Sequence, residues 1–84
     1  MKFTIKEEGK NGSVEVTDTG LTRRAKKLIG RDDTMFINYD RINSVTHISK
    51  MIGADLIEVI VGGEVYVWKC TEAGKLAGII NDSM

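Results

Sequence analysis

Apolar and polar positions alternate along much of this chain, and glycine breaks the alternation into short pieces. Phe3-Thr4-Ile5 and Val14-Glu15-Val16-Thr17 alternate as half-buried strands do, on either side of Gly9-Lys10-Asn11-Gly12. Asn and Gly tolerate the positive φ of a tight loop, so the spacing predicts a β-hairpin turning through that segment. A clearer unit lies later. Leu56-Ile57-Glu58-Val59-Ile60-Val61 and Glu64-Val65-Tyr66-Val67-Trp68-Lys69 are β-branched and aromatic runs separated only by Gly62-Gly63. A two-residue turn there pairs Val61 with Glu64, Val59 with Tyr66 and Ile57 with Trp68. One face then carries Ile57, Val59, Val61, Tyr66, Trp68 and Cys70, and its aromatics make it the core face. The opposite face carries Leu56, Glu58, Ile60, Val65, Val67 and Lys69 and is itself largely apolar, which a solvated sheet face does not require.

The stretch from Thr71 to Asn81 has helical periodicity instead. Ala73, Leu76, Ala77 and Ile80 form a narrow apolar stripe, Thr71 is placed to cap it, and Glu72 suits the positive end of the helix dipole, predicting a helix over about 71–82. Gly74 and Gly78 weaken it intrinsically, so this helix depends on packing, and their spacing suits close approach to a sheet. Residues 20–29 read two ways. Leu21, Ala25, Leu28 and Ile29 share one face of a short helix, whereas the segment is brief for a helix and Thr19-Gly20 starts one poorly. Thr34-Met35-Phe36-Ile37 reads as a strand after a Gly30-Arg31-Asp32-Asp33 turn, and Asn38-Tyr39-Asp40-Arg41 as a further turn. Ile42, Val45 and Ile48 resume an apolar pattern, and Met51 to Asp55 reads as a loop.

Composition narrows what such a chain can be. Its 84 residues suit a single domain spanning 1–84, with a small core that makes contacts between chains matter. Twelve basic and twelve acidic side chains cancel, which argues against nucleic-acid or membrane binding driven by net charge. One cysteine forms no internal disulfide, the first eight residues lack an apolar run, and no stretch approaches a membrane span. A cytoplasmic protein without a signal peptide is expected.

Candidate chemistry is sparse. His47 stands between Thr46 and Ile48 with no motif around it, and Cys70 falls at the strand–helix junction on the core face, where a small buried side chain is the simpler reading. No nucleophile, metal site or cofactor is expected: one Cys and one His give no zinc spacing, and Asp32-Asp33 lacks the acidic series of a calcium loop. Gly62-Gly63 precedes a strand, not the helix a phosphate loop needs. Arg23, Arg24, Lys26, Lys27 and Arg31 are the one charge feature of functional interest. They read either as a solvated face or as an anion-binding patch, with Asp18, Asp32 and Asp33 offsetting part of their charge. No aromatic is interleaved to stack bases, so nucleic acid is not expected. The apolar patch of Leu56, Ile60, Val65 and Val67 must be covered by the chain's own elements or by another chain, and a second copy is the favoured cover.

Two segments carry a family resemblance. Val14-Glu15-Val16-Thr17-Asp18-Thr19-Gly20-Leu21-Thr22-Arg23 resembles the strand, T-(D/N)-x-x-L and basic strand that open bacterial pleckstrin-homology-like (PH-like) domains. Ile37-Asn38-Tyr39-Asp40-Arg41-Ile42-Asn43-Ser44-Val45 resembles their I-P-Y-x-x-I-x-S-V segment, with Asn38 where the family has Pro. The late Gly-turn hairpin and final helix fit the same pattern, so the resemblance covers about residues 12–82. It implies a mainly β fold, a curved antiparallel sheet or partly open barrel capped by one C-terminal helix, with 20–28 a strand paired to 34–38. It further implies a non-enzymatic module, homo-oligomers as the expected assembly, and a protein partner or an anionic lipid headgroup as ligand, the latter through the basic stretch.

Overall fold

A computed structural model describes residues 1–27 and 29–84. Among them, β1 (Lys2–Glu7), β2 (Lys10–Val16), β3 (Gly20–Ala25), β4 (Asp33–Asn38), β5 (Ile42–Ile48), β6 (Leu56–Val61) and β7 (Glu64–Lys69) precede α1 (Ala73–Ser83). The strands form one antiparallel sheet in the order β4-β3-β2-β1-β7-β6-β5. Its two halves join where β1 meets β7, in register at Lys6 and Lys69. Strands β4 and β5 are left as free edges, so the sheet curves without closing. The expected curved, open antiparallel sheet with one C-terminal helix is what the chain adopts.

The β6–β7 hairpin has the register its sequence dictates, Val61 with Glu64 and Ile57 with Trp68. Gly62 and Gly63 take φ of 58° and 86°, the doubly left-handed turn that matches strand twist. The first hairpin turns earlier than the glycine spacing suggests. Glu7 pairs with Lys10, and Glu8 (φ 51°) and Gly9 (φ 79°) make the turn. Lys10, Asn11 and Gly12 belong to β2 instead, where a Cβ on Gly12 would run into the Arg24 carbonyl of β3.

Residues 20–25 are strand, not helix, paired with β4 from Gly20–Asn38 to Ala25–Asp33. Leu28, part of the helical stripe and of the implied longer strand, lies outside the described residues. Gly20 is required by close approach: a Cβ there would sit on the Ile37 carbonyl oxygen. Asn38 takes φ −69° and ψ 142°, angles that a proline would also adopt. The Tyr39–Arg41 segment closes into one 3₁₀ turn, and the buried Tyr39 hydroxyl donates to the Thr17 carbonyl at 2.7 Å.

Phe3, Ile5, Val14, Leu21, Ile37, Ile57, Val59 and Trp68 fill the concave face, and α1 adds Ala73, Leu76, Ala77 and Ile80 to the same core. Fully burying side chains of this size contributes roughly 1.5–3 kcal/mol each. The helix begins two residues later than expected, and Thr71 is not its cap. Glu72 occupies the cap position without a side-chain hydrogen bond, while the Ala73 N–H reaches back to the Cys70 carbonyl at 3.2 Å. That backbone turn carries the chain off β7 and onto the core, so entry into α1 is set by packing and not by a capping side chain.

Candidate functional site

Register builds the convex face of β5–β7 row by row. Ser44, Ile60 and Val65 lie across it, then Thr46, Glu58 and Val67, then Ile48, Leu56 and Lys69. The four residues singled out for association, Leu56, Ile60, Val65 and Val67, are thus brought together. Leu56 and Ile60 are half-buried, whereas Val65 and Val67 are 57% and 41% exposed, and Ile48 adds a further exposed apolar side chain. No element of the described chain covers this face: α1 packs on the other side of the sheet. Glu58 stands within the patch and is half-buried itself.

The basic stretch is divided by strand alternation. Arg23 points inward with Leu21 and Ala25 and is only 4% exposed, so it is removed from the anion-binding set. Its Nη1 donates to Asp33 Oδ2 at 3.1 Å, and its Nε lies 3.6 Å from Glu7 Oε1. Trp68 Nε1–H donates to the same Glu7 oxygen at 2.6 Å. Arg23 Nε finds no hydrogen-bond partner of its own among the described residues. This network links β1, β3, β4 and β7, and sequence spacing gave no sign of it. Arg24, on the opposite face, remains exposed, as do Lys26, Lys27 and Arg31. Lys26 and Lys27 join Lys10 around a shallow recess of about 260 Å³ between the β1–β2 turn and the exit of β3.

His47 has a partner that its surroundings in the sequence did not reveal. Its Nε2 lies 2.7 Å from Asp55 Oδ2, and Asp55 Oδ1 accepts the Lys50 N–H at 3.0 Å. The Lys50 N–H and the His47 hydrogen bond, in that order, hold the Asp55 carboxyl below its ordinary value. The pair clasps the ends of the β5–β6 loop, and Asp55 also accepts the Cys70 N–H through its carbonyl at 2.9 Å. The His47 ring packs against Gly74 at the start of α1. A His–carboxylate pair positions a base in many enzymes, but here it joins backbone segments, and no nucleophile is hydrogen-bonded to it. Cys70 is buried, and that burial pushes its thiol up, the direction opposite to activation.

A larger cleft, about 680 Å³, opens between β4 and the β6–β7 turn, where Met35, Ile37, Val61 and Tyr66 meet Arg41 and Glu64. The Tyr66 hydroxyl donates to Glu64 at 2.7 Å, and that bond is the main reason its pKa is raised. Among the described residues, no group of three or more His, Cys, Asp or Glu side chains is placed to hold a metal ion. Among the described residues, no helix is long and apolar enough to cross a membrane. No protein-family model matches the chain, and no curated protein is similar to it in sequence.

Proposed function

We propose that this chain is a non-enzymatic interaction module of the bacterial PH-like kind, working in the cytoplasm, that self-associates through the convex face of β5–β7. The supporting observation is an uncovered apolar surface, built from Leu56, Ile60, Val65, Val67 and Ile48, while α1, the one α-helix among the described residues, packs on the opposite side. Exposed apolar area concentrated on one face marks a contact surface more often than chance scatter does. An 84-residue chain also has a small core, so covering that face with a second copy adds burial that the monomer lacks. Size-exclusion chromatography with light scattering tests this directly. At about 50 µM, a concentration that populates any complex of micromolar affinity, the mass should exceed the 9.3 kDa of one chain. A monomer at that concentration overturns the reading.

A second reading rests on Lys10, Lys26 and Lys27 around their shared recess. These side chains suit a phospholipid headgroup or another polyanion; Arg24, which lines an adjoining recess with Lys26, adds to the positive charge, and the buried Arg23 does not. Binding to vesicles containing phosphatidylserine should then fall with added salt and disappear in Lys26→Glu/Lys27→Glu. Binding unchanged by that pair of substitutions removes the second reading.

A further inference from the structure

The convex face carries both charges needed to recognise itself. Register sets Lys6 directly opposite Lys69 where β1 meets β7, and like charges opposed on neighbouring strands repel. Glu58 lies opposite Val67 on the β6–β7 ladder. Among the described residues, Glu58, Lys6 and Lys69 all lack an ionic partner within 4 Å. The acid and the lysines are separated by a diagonal of apolar side chains. Ile48 opposes Leu56 on the β5–β6 ladder, and Val67 continues the line one step along β7. Glu58 stands on one flank of this diagonal and Lys69 on the other. On the lysine flank, Lys6, Leu56, Val67 and Lys69, with Glu8 and Gly9, line a recess of about 320 Å³.

We infer that the occupant of this face is a second copy of the chain, related by a twofold axis running along the Ile48–Leu56–Val67 diagonal. This rests on the self-association reading above and specifies its geometry. A twofold along that line exchanges the two flanks, so Glu58 of each copy enters the lysine recess of the other. Leu56 and Val67 lie near the axis and meet their own counterparts, as an isologous contact demands. Each charge pair therefore forms twice, and the partner's acid adds to Glu8, which lines the same recess but makes no salt bridge with Lys6 or Lys69. Other docking angles waste this complementarity. Superposing the faces without exchanging the flanks sets Glu58 against Glu58 and lysine against lysine, which disfavours that register.

Sedimentation equilibrium on charge-exchange variants tests the geometry. Glu58→Lys and Lys69→Glu should each raise the dimer Kd about tenfold, and the combined Glu58→Lys/Lys69→Glu variant should return it to within about threefold of wild type. Val67→Asp, at the axis, should abolish association in either background. Circular dichroism on each variant separates loss of association from loss of fold. A combined variant that binds no more tightly than the single ones overturns the twofold placement. If the wild type still dimerises and Val67→Asp still prevents it, the face associates in another orientation and the broader reading stands. A wild-type chain that remains monomeric removes both.

Discussion

The two glycines of α1 occupy different environments, and substituting each with Ala separates intrinsic helix propensity from packing. Gly78 sits mid-helix, and a Cβ there would meet nothing within 4 Å. Gly78→Ala should therefore gain the full propensity difference, about 1 kcal/mol. Unfolding entropy of about 2.1 cal/mol/K per residue converts this, for an 84-residue chain, to a rise in Tm of about 5–6 °C. Gly74 lies in the first turn, where helix hydrogen bonding is incomplete and the gain is smaller, about 0.5 kcal/mol. A Cβ on Gly74 would lie 3.1 Å from His47 Cε1 and 3.3 Å from Nδ1. The ring cannot simply step aside, because its Nε2 is tied to Asp55 at 2.7 Å. Moving it means a longer His47–Asp55 bond or a strained rotamer, a penalty of about 0.5–1.5 kcal/mol that cancels or reverses the gain. Thermal unfolding followed by circular dichroism, at one fixed protein concentration because association couples to Tm, distinguishes these outcomes. Gly78→Ala should stabilise and Gly74→Ala should not. In a His47→Ala background Gly74→Ala should recover its gain, a coupling of about 1 kcal/mol. Equal stabilisation by both substitutions in the wild type, or no coupling to His47, would refute the packing account.

Glu7→Ala leaves the Trp68 N–H without its acceptor and the buried Arg23 guanidinium without the carboxylate that lies 3.6 Å from its Nε. It should lower stability by about 2–3 kcal/mol in urea unfolding, seen as a lower midpoint at unchanged slope. Asp55 has a folded pKa below its unfolded value, so its contribution is present above the ordinary carboxylate pKa of about 3.9 and is lost as pH falls through the folded value. The stability gap between wild type and Asp55→Ala should therefore be wide at pH 6 and narrow in acid, and a gap that widens on acidification contradicts the assignment. Gly20→Ala forces a methyl onto the Ile37 carbonyl and should cost about 3 kcal/mol or prevent folding, as judged by chemical denaturation and soluble yield.

The β6–β7 hairpin was legible in the sequence, whereas the β1–β2 turn was displaced from its glycine signal to Glu8-Gly9. The β6–β7 register follows from a two-glycine turn and strict alternation, so the core face and the apolar convex face follow from the sequence alone. The β3 strand was not legible from its own pattern. Its inward positions are Leu21, Arg23 and Ala25, and the Arg breaks the apolar alternation that marks a strand. The same residue explains the error in the basic stretch. Counting charge treats Arg23 and Arg24 alike, whereas the pleat sends them to opposite faces, one to Glu7 and Asp33 and the other to solvent. Nothing in the spacing announces that Glu7 and Arg23 will meet, because β2 intervenes between their strands.

The His47–Asp55 pair and the Lys6–Lys69 opposition share that origin. Each depends on where a loop closes or where one half of the sheet crosses the other, and neither distance is encoded in local propensity. Alternation identified an apolar surface that needs covering, but it left open the orientation of whatever covers it. In the proposed dimer that orientation is set by Lys6, which joins Lys69 across the β1–β7 junction and, with Glu8 beside them, leaves that flank net positive. A patch of Leu, Ile and Val alone tolerates many docking angles, since apolar contact is not directional. Acid on one side of the Ile48–Leu56–Val67 line and two lysines on the other leave few. On the proposed reading, charge placement adds a symmetry to a surface whose apolar composition specifies only contact.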